Sequence, residues 1–379
     1  MHLQTTPDQD RVRKMVHDFL EAEVRPIADK IDESGEYPEA TVRRMAELGL
    51  LGINVPEEHG GAGLDAVTGA LVGEEMSRVC RNHAGIMGAH NTLACGPIVD
   101  FGTPEQKQRF LPDLASGKAI GSYCLTEPHA GSDPANMKTK AEADGDEWVL
   151  TGSKCFISNA RVSGTMIVFA RSNDRPGAKG VSAFIVPTKT EGITIGADEK
   201  KLGLRAQPTN QVDFDHARIP KENLLGKDGE GFKVAMKTLD NGRISVASGS
   251  TGVIRACREE STAYAKERKQ FGRPISDYQA IQWKIADMAT HEEASRLLYL
   301  NAAWRKDHGL PFTKEASMAK VFASEKAMQA TIENIQVHGG NGFMMDYPAQ
   351  RHFRDIKVYE IFEGTSEIQR MVISRHVLT

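Results

Sequence analysis

Apolar side chains in the first third of the chain recur every three or four positions. Val12, Val16, Phe19, Leu20, Val24, Ile27 and Ala28 share one side of a helical wheel, which predicts an amphipathic helix over 8–30. The stretches 38–51, 66–80, 86–100 and 104–116 repeat that period, interrupted by the glycine-rich loop PEEHGGAG at 56–63. From about 121 the texture changes. Short β-branched or aromatic runs at 148–151, 165–170, 181–186, 193–195 and 211–214 are separated by Gly, Pro, Asn and Asp, a pattern that predicts a small antiparallel barrel. Helical periods return over 232–268, 277–308 and 313–337, and the break HGGNG at 338–342 precedes a last helix near 366–378. The order predicts an α+β multidomain chain: an all-α domain over 1–120, a β-barrel domain over 121–230 and a helical bundle over 231–379.

Length agrees with more than one domain, because 379 residues exceed the roughly 250–300 that a single core usually serves. Lys and Arg number 47 against 51 Asp and Glu, and the net charge of -4 comes without a long single-sign block, so no nucleic-acid partner is expected. No apolar run approaches the roughly 18 residues of a spanning helix, and the first residues lack a signal core, so no membrane association is expected. Five cysteines, odd in number and never in C-x-x-C spacing, fit a reduced compartment, and a cytoplasmic location is expected. Neither internal repeats nor metal-ligand spacings occur. The strings G-x-G-x-x-G, G-x-x-x-x-G-K-[ST], H-E-x-x-H and G-x-S-x-G are all missing, which weighs against nicotinamide Rossmann enzymes, P-loop NTPases, zincins and serine hydrolases.

Four strings carry candidate chemistry. YCLTEPHAGSD at 123–133 reads either as a turn-rich linker or as backbone and hydroxyl donors for an aromatic, phosphate-bearing ligand in an interdomain crevice. KCFISN at 154–159 reads either as a strand end with a buried ring or as a ring and hydroxyl placed against a flavin. In ERKQFGRP at 267–274, Gly272 and Pro274 suit a helix stop, while Lys266, Arg268, Lys269 and Arg273 either neutralise the helix C-terminus or receive a pyrophosphate. In FEGTSEIQR at 362–370, Ser366 and Gln369 predict a capping box. Glu363 lies outside that box, after Ile361 and Phe362, where an apolar pocket could raise its pKa into the range of a general base.

In this order on an α–β–α background, the four strings resemble the acyl-CoA dehydrogenase family over essentially the whole chain. FGTPEQKQ at 101–108, PKENLLGKDGEGFK at 220–233, QVHGGNG at 336–342 and RDIK at 354–357 extend the likeness. The resemblance implies a helical domain, a β-barrel and a four-helix bundle, assembled as a homotetramer that is a dimer of dimers. It implies FAD as cofactor, with Tyr123, Leu125, Thr126, Phe156, Ile157 and Ser158 at the isoalloxazine ring. Arg268, Phe271, Gln279, Gln336, Gly339 and Gly340 would meet the adenosine and pyrophosphate part, largely from a neighbouring subunit, and Thr365 and Glu367 would complete the site. Ser132 would meet both the FAD and the acyl-CoA, and Asp240, Arg243 and Gly364 would contact the acyl-CoA.

Glu363 matches the family's base. The implied reaction removes the α-proton of a thioester onto Glu363 while the β-hydrogen leaves as hydride to the flavin, giving a 2-enoyl-CoA. The thioester carbonyl would be polarised by the backbone N–H of the base and a flavin ribityl hydroxyl. Electrons would then pass to electron-transfer flavoprotein. The same residues would serve an acyl-CoA oxidase that uses oxygen, or a non-catalytic acyl-CoA or flavin-binding relative.

Some positions depart from the family's habits. Phe156 stands where Trp is frequent, Ser158 where Thr is, Phe362 where Tyr precedes the base, and His129 where smaller residues are usual, so an altered acyl cavity is expected. Isovaleryl and long-chain members carry their base at the position of Gly242, which cannot serve. Glutaryl-type members need an Arg near Ala84. Relatives specific for the shortest chains tend to have Gln where this chain has Gly249, so room is expected for a longer, branched or cyclic acyl group, within a short to medium, branched or cyclic acyl-CoA substrate range.

Overall fold

The computed structural model describes residues 5–379. Helices α1 (Pro7–Phe19), α2 (Ala28–Ser34), α3 (Glu39–Glu47), α4 (Ala66–Val79), α5 (Arg81–Gly88), α6 (Gly96–Phe101) and α7 (Pro104–Ala115) come first. The helix expected over 8–30 starts with a capping box from Thr6 to Gln9, then passes through a π-helical and a 3-10 turn before α2. Pro26 lies in that irregular stretch, and a proline has no N–H for the helical ladder. The expected stripe is still buried: Val16, Phe19, Leu20, Val24 and Ala28 pack with Met45, Leu51, Val72 and Met76.

Strands follow: β1 (Ile120–Cys124), β2 (Lys140–Asp144), β3 (Glu147–Ser158), β4 (Ser163–Arg171), β5 (Val181–Pro187), β6 (Ile193–Ile195), β7 (Thr209–Pro220) and β8 (Leu224–Leu225). The expected closed antiparallel barrel is not what they form. The sheet stays open, in the order β6–β7–β3–β2–β4–β5–β8, with β1 added parallel to β4. A single residue pair, Lys140 with Arg171, joins β2 to β4, so two four-stranded halves fold over one another instead of closing. The edge strands β6 and β8 are very short, which leaves little exposed ladder. Between the halves lies a core of Trp148, Leu150, Met166, Val168, Phe184, Val186, Val212 and Phe214. Alternate residues of β4 and β5, Ile167, Phe169, Ala183 and Ile185, face the other way onto Ile98, Leu111, Leu114 and Val234 of the helices, as period-2 strands buried on both faces must.

The chain then makes α8 (Gly231–Glu267), a hairpin of β9 (Lys269–Gln270) and β10 (Arg273–Pro274), α9 (Gln279–Asp307), α10 (Thr313–His338), α11 (Ala349–Ile356) and α12 (Ser366–Leu378). Gly272 is not the helix stop expected: α8 ends at Glu267, and Gly272 with Phe271 forms a turn with positive φ at both residues, 86° and 51°. In the bundle, Ala316, Ala319, Ala323 and Ala327 of α10 keep the packed helices close, and Ala70 of α4 joins the same core beside Ile244 and Ala247 of α8. The first and last segments therefore share a hydrophobic interior.

Candidate active site

A cavity of about 540 Å³ opens where the three segments meet. Its walls include Ala84 and Gly88 of α5, Tyr123 at the end of β1, Phe156 of β3, Arg243 of α8 and Glu363 of the loop before α12. Of the expected site residues, Leu125, Thr126, Ser132, Ile157, Ser158 and Gly364 line it as well. The strings at 123–133 and 154–159 are thus brought together, and a buried ion pair fastens them. Lys154 Nζ lies 2.7 Å from Glu127 Oε1 and donates to the Leu125 carbonyl at 3.2 Å. Glu127 also accepts the backbone N–H groups of Lys138 and Thr139, and the Cys155 N–H donates to the Thr126 carbonyl at 3.0 Å. Burial pulls the Lys154 pKa down while Lys154 and these donors hold Glu127 below the usual carboxylate range.

Phe156 reaches the cavity through a β-bulge. Lys154 pairs with Val212 and Ile157 with Asn210, so β3 spends three steps where β7 spends two. The extra residue turns Phe156 to φ 58° and leaves its ring 67% exposed on the cavity wall. A buried ring, the bland expectation for this strand, is therefore not found.

Glu363 also has positive φ, 54°, followed by Gly364 at 92°. This strained pair is held from behind. The Gly364 carbonyl accepts from Lys320 Nζ at 2.9 Å and from Gln369 Nε2 at 2.8 Å, and Gln369 also donates to the Glu363 carbonyl at 3.1 Å. The expected capping box shifts accordingly: Thr365, not Ser366, caps α12 by accepting from the Ile368 N–H, which frees Gln369 to brace the loop. Glu363 Oε2 is buried without a hydrogen-bond partner. Desolvation pushes the Glu363 pKa up to about 7, against the opposing pull of Lys320 and Arg243.

Other residues singled out in the sequence lie outside this cavity. Asp240 faces α10 rather than the cavity, its carboxylate taken up by Arg243 at 2.7 Å and Thr313 at 2.6 Å. His129 leans on Glu127 at 3.2 Å rather than into the acyl space. Arg268, Gly339 and Gly340 line a separate groove of about 300 Å³ on the far part of the bundle, and Gln279, Gln336 and the 94%-exposed Phe271 are surface residues of the same region. Thr365 and Glu367 open α12, with Glu367 at the surface. Gly249 does not open extra room, because a Cβ there would meet Arg81 Nη2 and Ser77 Oγ at 3.0 Å and Tyr359 at 3.3 Å. Sequence reasoning missed Lys320 and Arg81. The available signal was a cation on the buried stripe of each helix: Lys320 follows Ala316 and Ala319 on α10, and Arg81 precedes Ala84 on α5.

An aromatic side chain presented to a crevice, backbone and hydroxyl groups beside it, and an unpartnered carboxylate with a raised pKa opposite are the equipment of a flavin-dependent dehydrogenase. These residues fit a flat heterocyclic cofactor: Phe156 exposes its ring to the cavity, and the hydroxyl-bearing Thr126 and Ser158 line the same space. The comparisons agree. The acyl-CoA dehydrogenase N-terminal, middle and C-terminal domain models match residues 6–118, 122–217 and 229–378. The mitochondrial short-chain specific acyl-CoA dehydrogenase of Bos taurus is 48% identical over 367 residues, 97% of this chain and 89% of the relative. The short-chain specific enzyme of Clostridium acetobutylicum is 44% identical over 374 residues, 99% of each chain. Among solved structures, butyryl-CoA dehydrogenase from Megasphaera elsdenii superposes with a TM-score of 0.98 at 38% identity, covering 100% of both chains. A chain from a structure described as the electron transferring flavoprotein of Acidaminococcus fermentans has the same TM-score at 42% identity, again over 100% of both. The protein belongs to the acyl-CoA dehydrogenase family and is an FAD-dependent oxidoreductase.

Proposed function

We propose that this enzyme converts a short- to medium-chain acyl-CoA, straight, branched or cyclic, to its 2-enoyl-CoA, with Glu363 as the base that takes the α-proton. The observation that carries the reading is the Glu363 carboxylate: unpartnered at Oε2, desolvated to a pKa of about 7 and facing the cavity. A base near that value is about half ionised at neutral pH and still strong enough to accept a proton. When bound, FAD supplies the acceptor for the hydride that leaves the β-carbon. The Glu363 N–H has no intramolecular acceptor among the described residues, which suits it to polarise the thioester carbonyl as enolate charge develops. Tyr123, Leu125, Thr126, Phe156, Ile157 and Ser158 hold the ring end of the cofactor. Ser132 at the exposed rim, with Arg243 and Gly364 deeper in, receives the acyl-CoA.

In this reading Arg268, Phe271, Gln279, Gln336, Gly339 and Gly340 serve the FAD of a neighbouring subunit in a homotetramer. The placement of Arg268, Gly339 and Gly340 on a groove apart from the central cavity supports that, as do the surface positions of Phe271, Gln279 and Gln336 and the exposed apolar side chains Trp283 and Ile332 on α9 and α10. Thr365 and Glu367 complete the cofactor site from α12. The divisions 1–120, 121–230 and 231–379 each supply a wall of the cavity. Electrons go on to electron-transfer flavoprotein, and the enzyme works in the cytoplasm. Five free, buried cysteines suit a reducing compartment, and no helix of the described residues is long and apolar enough to cross a membrane.

Anaerobic titration of the yellow holoenzyme with straight, branched, cyclic and aromatic acyl-CoA esters tests the reading. Flavin bleaching by a short-chain ester is expected, and Glu363→Gln should slow it by at least ~10²-fold while still binding flavin and ligand. Unchanged kinetics in that variant would reassign the base. Rapid peroxide formation without an acceptor protein would move the enzyme to the oxidases.

A further inference from the structure

We propose that Arg81 is the end wall of the acyl cavity and sets the longest chain the enzyme accepts, an inference that rests on the acyl-CoA reading above. Two helices flank the cavity and continue past it. On α5 the wall residues are Ala84, Gly85 and Gly88, and on α8 they include Leu239, Arg243 and Val246. Residues three or four apart share a helix face, so the next layer on each side is Arg81 and Gly249. The Arg81 guanidinium crosses this layer from one helix to the other. Its Nη1 donates to the Gly249 carbonyl at 2.6 Å, and its Nη2 donates to the Tyr359 hydroxyl. The guanidinium carbon lies 4.3 Å from the centre of the Tyr359 ring, and that ring lines the cavity.

The bare Cα of Gly249 is therefore the seat of the guanidinium rather than free volume. Arg81 is only 2% exposed, has no carboxylate within ion-pair distance among the described residues, and leaves its Nε without a partner. A buried cation of this kind costs stability, and an apolar side chain of similar volume would cost less. Stability alone does not account for it. As a wall it has an advantage: a planar group fixed by two hydrogen bonds and a ring face cannot fold aside for an entering methyl end as an aliphatic side chain can.

The test is the rate of anaerobic flavin bleaching of holoenzymes by butanoyl-, hexanoyl- and octanoyl-CoA. For the unaltered enzyme the rate is expected to fall by at least about 10-fold from butanoyl to octanoyl, the scale on which a snug apolar pocket discriminates methylenes. Arg81→Ala should shrink that ratio by about 10-fold or more, and adding Gly249→Gln, whose side chain enters the vacated layer, should bring the preference back. Should Arg81→Ala lose its flavin, Arg81→Met, pliant but of similar bulk, is expected to change the ratio in the same direction. Equal rates for the three esters in the unaltered enzyme would overturn the proposal. So would a flavin-loaded Arg81→Ala or Arg81→Met with the original ratio. No bleaching by any ester would instead bring down the acyl-CoA reading and the end wall with it.

Discussion

The Glu363 carboxylate occupies the space into which a side chain on Gly242 would project: a Cβ built on Gly242 runs into Oε2 and stands 2.6 Å from Cδ. The two positions compete for one volume beside the cavity. Resemblance to the family implies a base at either place in different members, and the crowding gives that alternation a steric reason. Gly242→Ala is expected to push the carboxylate away and slow flavin reduction by at least ~10²-fold, as for loss of a positioned base. Glu363→Gly combined with Gly242→Glu should recover part of that loss. Single-turnover flavin bleaching of the two proteins, each loaded with FAD, decides the matter, and a fully active Gly242→Ala would contradict the geometry.

The rate should follow the ionisation of Glu363. With its pKa held near 7, kcat/KM is expected to rise as pH climbs through 7 and then level off. Two cations oppose the desolvation: Arg243, and Lys320, itself brought down to about 8 by burial. Lys320→Met removes one of them and should move the rising limb to higher pH, whereas Lys320→Arg should leave it nearly in place. A limb that stays put in Lys320→Met would show that the lysine only braces the Gly364 carbonyl.

Stability should carry the opposite mark of the same group. An ordinary glutamate titrates near 4.5, so between there and about 7 the folded cofactor-free chain binds a proton that the unfolded chain releases. Stability from this site is complete below the lower value and is lost as pH rises through the upper one. Glu363→Gln, always neutral, is expected to stabilise the cofactor-free protein by about 1–3 kcal/mol at pH 8 and by almost nothing at pH 4. Chemical denaturation at the two pH values measures the difference.

Breaking the buried pair should separate cofactor binding from the base. Lys154 and Glu127 are both fully buried, and losing one strands the other's charge, a loss of about 3–5 kcal/mol. Glu127→Ala is therefore expected to lower the melting temperature and release flavin, because the 123–133 loop is no longer pinned to β3. Gel filtration followed by flavin absorbance reads both effects, and retention of full flavin content would argue that the pair is dispensable.

Helices were legible wherever an amphipathic stripe ran long enough, as along α8, and the family resemblance implied a shared site for Tyr123, Phe156 and Glu363, which line one cavity. Sheet closure was not legible. Whether β2 meets β4 over one residue pair or many depends on bulges and registers that a run of β-branched residues does not encode. The helix start near 366 was evident, but Thr365 and Ser366 are both competent caps, and only the use of Gln369 on the Gly364 carbonyl decides between them. Asp240 was visible as a carboxylate beside an arginine; its turn toward Thr313 of α10 depends on a neighbour 73 positions away. Lys320 and Arg81 each interrupt a buried stripe, and a lone cation on such a stripe says little until the atoms it touches are known.

Because the cavity borrows walls from all three segments, no fragment of the chain carries a complete berth for the flavin. A partly folded intermediate has nowhere to load it, and colour becomes a reporter of assembly as much as of chemistry. Lesions remote from Glu363 that loosen the seam between α4, α8 and the open sheet should then surface first as pale, cofactor-poor protein rather than as slow catalysis.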